Sequence, residues 1–102
     1  MGITTALETE DGKALETVED PTNVLHRVLP EVGDPSYQCL SRIDWYGDTV
    51  FNYLQAPQLL TEWQTLESEK RDPETVRVLD GIRKLAERLR EERHVYLKFY
   101  GD

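Results

Sequence analysis

The chain has 102 residues, 38% of them apolar, and a net charge of −8. That length fits one domain over residues 1–102 with its own core, and the apolar content is too high for a disordered chain. No apolar run approaches the ~20 residues of a membrane-spanning helix, and one cysteine, Cys39, leaves no internal disulfide and fits a reducing, cytoplasmic setting.

The charge is unevenly placed. Residues 1–69 carry thirteen acids and three bases, and residues 70–102 carry seven acids and nine bases. Such a field disfavours nucleic acid and anionic membranes, and it favours a basic protein partner. Solubility alone is the plainer reading of the same numbers. The first residues, Met1 to Glu10, have neither a basic start nor an apolar core, so no secretory signal is expected there. Gly2 is not followed by the Ser/Thr pattern of a myristoylation signal.

Residues 3–19 read as a β-hairpin around Asp11-Gly12. A two-residue loop would set Leu7 opposite Glu16. A three-residue loop, Glu10 to Gly12 with Gly12 left-handed, pairs Thr9 with Lys13, Leu7 with Leu15 and Thr5 with Thr17. The second register is preferred because it gathers the apolar side chains on one face, leaving Glu8 and Glu16 on a solvated one. Asp20 then caps a short helix with Pro21 in its first turn, and Val24, Leu25, Val28 and Leu29 form its apolar face. Pro30 ends it, and residues 31–36 are a loop.

Tyr37 to Ile43 reads as a strand, and Asp44 to Asp48 as a turn in which Gly47 supplies a positive φ. Asp48 or Thr49 then caps a helical turn through Val50, Phe51 and Leu54, with a strand at Thr49–Asn52 as the alternative. A helix follows from Pro57 to about Lys70, with Leu59, Leu60, Trp63 and Leu66 as its stripe. Asp72-Pro73 opens the clearest element, a helix to about Glu92 with Val76, Leu79, Ile82, Leu85, Ala86 and Leu89 on one side. Asp80–Lys84, Arg83–Glu87 and Arg88–Glu92 are spaced to pair along it, so its basic residues read as a solvated face. His94 to Tyr100 is the last strand, with Val95, Leu97 and Phe99 facing inward and Tyr96, Lys98 and Tyr100 outward. The expected fold is α+β: a largely antiparallel four- to five-stranded sheet with helices mainly on one face, in the order β-β-α-β-α-α-β.

Chemistry-bearing patterns are sparse. Phosphate-loop, dinucleotide, esterase and dithiol motifs are all missing from the sequence. Cys39 with His26 or His94 as base would be a nucleophile, but a lone Cys in an apolar stretch is normally a buried hydrophobe. Asp44, Asp48 and Asn52 are the best polar cluster, and Arg42 stands beside them. They would line a pocket or act as turn and cap residues. No metal-ligand spacing supports a metal, and no cofactor is expected. Trp45 and Tyr46, flanked by Asp44 and Asp48, have the composition of a binding hot spot.

The run I-D-W-Y-G-D-T-V-F-N-Y-L-Q at Ile43–Gln55, with the leucine-bearing helix after it and the terminal Y-G-D, resembles a pattern of short, acidic, uncharacterised bacterial proteins. The resemblance spans nearly the whole chain and implies no activity. In size and charge the chain is also similar, as a class, to immunity proteins of the barstar type, which bind basic toxins. The expected function is therefore a non-enzymatic, cytoplasmic interaction protein that meets a basic partner through Asp44, Trp45, Tyr46 and Asp48, with an immunity or inhibitor role as its most specific form. The rival is a small enzyme or ligand binder with a pocket at the Asp44–Asn52 turn, involving Arg42 and Asn52. A homo-oligomer through a sheet edge or the Tyr96/Tyr100 face is a third possibility.

Overall fold

A computed structural model describes residues 2–101. Four strands form one antiparallel sheet: β1 (Thr4–Thr9), β2 (Ala14–Val18), β3 (Asp48–Phe51) and β4 (Val95–Tyr100). Their order across the sheet is β2-β1-β4-β3. Three helices complete the described chain: α1 (Val24–Val28), α2 (Ala56–Glu67) and α3 (Pro73–Glu91). Ile3, Leu7, Phe51, Val95, Leu97 and Phe99 are buried and join the buried residues of all three helices in one core. Phe51 meets Phe99 edge to face, with ring centroids 5.9 Å apart.

The fold is α+β, and β4 is buried on alternate residues as its apolar pattern requires. The third strand, however, is Asp48–Phe51 rather than Tyr37–Ile43. The earlier stretch forms turns and one 3-10 turn, Leu40–Arg42. The cause lies on α2. Glu62 is buried, and its carboxylate accepts the backbone N–H groups of Gln38, Cys39 and Leu40 at 2.9–3.1 Å. Those donors are consequently not free for a sheet ladder, and the chain coils around the carboxylate instead. Phe51 and Leu97 then pair across β3 and β4, which places Thr49–Phe51 in a strand and not in a helical turn.

The hairpin turn forms as read. Thr9 donates to the Lys13 carbonyl at 2.9 Å and Gly12 has φ of 87°, the left-handed conformation that glycine adopts without strain. Beyond it the pairing changes. Glu8 faces Ala14, a bulge intervenes, and Leu7 faces Glu16 rather than Leu15. Ala6 then faces Thr17, and Thr5 faces Val18. The extra residue turns Glu16 toward α3, where it pairs with Arg88, and leaves Leu15 39% exposed. This register packs Val18 on the core and lets Glu16 make an exposed ion pair, in place of a Leu7–Leu15 contact.

Glu8 is also not solvated. On the face opposite the helices it is 5% exposed, with Lys98 Nζ at 3.0 Å, and the Tyr100 hydroxyl donates to it. Asp20 performs its capping role from a greater distance than expected. Its buried carboxylate accepts from Val24 and Leu25 at 2.8 and 2.9 Å, so α1 begins three residues after Pro21, behind a left-handed Asn23.

In α3 the buried face is Thr75, Val78, Leu79, Ile82, Leu85, Ala86 and Leu89, while Val76 is 51% exposed. The spacing of Leu79, Ile82, Leu85, Ala86 and Leu89 admits only one face, and Val78, not Val76, continues it. The three i,i+4 ion pairs along α3 all form, at 3.1–3.2 Å. Trp63 ties α2 to α3 by donating its ring N–H to the Leu79 carbonyl at 2.9 Å.

Candidate partner-binding surface

The turn from Asp44 to Gly47 sits at one end of β3, and its shape follows from two local contacts and one across the sheet. Asp44 donates its backbone N–H to Thr49 Oγ1 and accepts the Tyr46 N–H on its carboxylate, both at 2.9 Å. Gly47 accepts from the Gly101 N–H at 2.8 Å, which extends the β3–β4 ladder by one pair. Gly47 does not have a positive φ. Its need is space: a Cβ there would lie 2.8 Å from Asp44 Oδ2. Gly101 is equally confined, since a Cβ on it would come within 2.6 Å of the Trp45 backbone.

The two aromatic residues of the turn part company. Trp45 is half-buried, and its ring lies parallel to that of His26 with centroids 5.0 Å apart. It anchors the turn on α1. Tyr46 is 79% exposed, and the exposed Asp44 and Asp48 stand on either side of it in the chain. Asp48 faces the side of the sheet away from the helices, opposite Tyr100. Val50 follows on the same face, opposite Lys98, and it too is exposed.

Asn52 is not part of that group. It lies at the far end of β3, roughly 13 Å along the strand at ~3.4 Å per residue. There its side-chain oxygen accepts the Leu54 N–H at 3.0 Å, and its own N–H donates to Gln55 Oε1 at 2.9 Å. Arg42 ends the 3-10 turn and lines a shallow hollow of about 290 Å³ with Asp34, Tyr37 and Ser41. Larger open hollows of about 440 and 500 Å³ lie between β2 and α3 and beside Gly2, Asp20 and Tyr100. None of these is lined by Asp44, Asp48 or Asn52.

The other chemical candidates stand apart. Cys39 is buried, and burial together with the neighbouring Glu62 carboxylate pushes its thiol pKa up, against thiolate formation. His94 is exposed and pairs with Glu10 at 3.1 Å, while the His26 ring lies on Trp45. Neither histidine hydrogen-bonds Cys39. Among the described residues no group of three or more His, Cys, Asp or Glu side chains is placed to hold a metal, and no helix is long and apolar enough to cross a membrane.

Two polar features escaped the sequence reading. Glu62 occupies the step between Leu59 and Trp63 on the apolar face of α2, and that spacing alone marks it as inward-facing. The Glu8–Lys98–Tyr100 group depends on β1 lying beside β4, which no local signal reveals. In comparisons with known proteins, no family model, no curated protein and no solved structure matches the chain.

Proposed function

We propose that this chain is a non-enzymatic, cytoplasmic interaction protein whose Asp44–Asp48 turn meets a basic protein partner. The observation that carries the reading is the exposure of Tyr46, 79%, between two exposed carboxylates. An aromatic ring carried on a hydrogen-bonded turn is a ready hot spot, because little backbone ordering remains for binding to impose. The acidic excess of residues 1–69 speeds encounter with a basic surface, and desolvation of Tyr46 slows release. Trp45 serves the same surface from below by fixing the turn on His26. An immunity or inhibitor role toward a basic toxin is the most specific form of this reading.

The local hydrogen bonds of Asp44 and Asn52 favour a surface over a pocket, since both side chains already have backbone partners. The test is a pull-down from host lysate at low and high salt, with wild type beside an Asp44→Asn/Tyr46→Ala/Asp48→Asn variant. A basic protein retained at low salt, and lost both at high salt and with the variant, is the expected result. Retention of the same protein by the variant would remove this turn from the interface.

A further inference from the structure

The two edges of the sheet differ. β2 is interrupted by its bulge, and its Glu16 is held by Arg88 of α3. Bulges and tethered charges are ordinary ways of blunting an edge. β3, Asp48–Phe51, has no bulge, proline or lysine.

The β3–β4 register sets its hydrogen-bonding phase. Asp48 lies opposite Tyr100, so Gly47 lies opposite Gly101, and the Gly101 N–H donates to the Gly47 carbonyl at 2.8 Å. Gly47 and Gly101 are therefore a hydrogen-bonded pair. In an antiparallel ladder such pairs alternate with non-bonded ones. Thr49 and Phe51 consequently bond to β4, and the N–H and C=O groups of Asp48 and Val50 point away from it. No further strand of the described residues pairs with that edge. The side chains of Asp48 and Val50 both lie exposed on the face away from the helices.

We propose that the β3 edge receives an extended segment of the partner protein as an added antiparallel strand. This rests on the reading of the Asp44–Asp48 turn as an acidic docking surface, and it specifies how that surface is used. Asp48 and Val50 donate and accept one pair of backbone bonds each. Cross-strand neighbours share a face, so the partner residue opposite Val50 is apolar and the one opposite Asp48 is lysine or arginine. Antiparallel entry places the apolar residue two positions before the basic one. Tyr46 stands at the end of the edge, where it covers the segment as it leaves. A second copy of this chain is the poorer occupant, because each copy carries −8 and would bring its own Asp44 and Asp48 to the contact.

The probe is an acetylated, amidated peptide in which threonine alternates with valine and lysine, titrated into isotope-labelled protein at low salt and followed by amide NMR. The expected result is a shift of the Asp48 and Val50 amides and slowing of their hydrogen exchange by about tenfold or more. Val50→Pro removes one outward N–H without touching the β4 ladder, and it should weaken binding about tenfold. The same peptide methylated on the backbone nitrogens that would face β3 should bind at least as weakly, with the protein unchanged. Equal affinity for the methylated peptide, or no binding by the wild type, overturns strand addition. If binding survives both Val50→Pro and methylation but is lost in Asp44→Asn/Asp48→Asn, strand addition fails while the acidic-surface reading stands. Protection of Asp48 and Val50 without peptide, together with a dimer in sedimentation, would assign the edge to a second copy and overturn the proposal.

Discussion

Glu62 shows how much one side chain can decide. Its carboxylate accepts from three consecutive backbone N–H groups and from the Gln58 side-chain amide at 2.7 Å. The Cys39 and Leu40 donors, left buried and unpaired, cost about 1–3 kcal/mol each. Glu62→Ala should therefore lower unfolding stability by about 3–5 kcal/mol in urea titration, while Glu62→Gln, which keeps one acceptor oxygen, loses roughly half of that. A loss below about 1 kcal/mol for the alanine variant would mean that water replaces the carboxylate. The same residue explains the misplaced third strand. Tyr37–Ile43 contains nothing that forbids a strand, and the acceptor that coils it arrives more than twenty positions later in the sequence. Trp45 was legible only as an aromatic turn residue, because its partner His26 belongs to a helix whose position relative to the turn is a tertiary fact.

At the level of elements, those with local reasons were legible. α3 has proline in its first turn, an apolar stripe and ion pairs at the right spacing, and it runs from Pro73 to Glu91 much as its sequence indicates. The hairpin turn is fixed by Gly12, but the strand beyond it is not, because its bulged register depends on packing Val18 against a core built from distant elements. Val76 and Val78 separate local propensity from packing. They are the same residue type on the same helix, one exposed and one fully buried. Val78→Ala should cost about 2 kcal/mol and Val76→Ala no more than about 0.5 kcal/mol, measured by thermal or urea unfolding. Equal effects would place the helix in a different rotation.

Across the whole molecule, charge is sorted rather than merely excessive. The basic residues of α3 are largely engaged: Arg83 with Glu67, Asp80 and Glu87, Arg88 with Glu16 and Glu92, and Arg77 with Glu74. Acids from β2 and α2 thus help neutralise the C-terminal third, and acids such as Asp44 and Asp48, which have no ion pair among the described residues, remain elsewhere on the surface. One group on the open face of the sheet ties stability to alkaline pH. The hydrogen bond to Glu8 raises the pKa of Lys98 above 10.5 and that of Tyr100 above 10.0, and burial adds to the rise at Tyr100. Both groups hold their protons more tightly folded than unfolded. Their contribution is complete below those ordinary values and is lost as pH rises through the higher folded ones. The melting temperature should accordingly fall above pH 10, and Tyr100→Phe should flatten that fall. An identical slope in the variant would show that Tyr100 takes no part.

The centre of the sheet joins its earliest strand to its latest, with Thr4 opposite Tyr100 and Thr9 opposite Val95. During synthesis the β1–β2 hairpin emerges before the rest of the sheet and has no neighbour for its inner edge until residues 95–100 follow. Until then Leu7, which ends fully buried, lacks Leu97, its neighbour on that inner edge. Folding of the core is therefore a late, nearly all-or-none event governed by non-local pairing. A ribosome stalled anywhere short of Val95 would hold a nascent chain in which the inner edge of β1 stays open to whatever strand comes near.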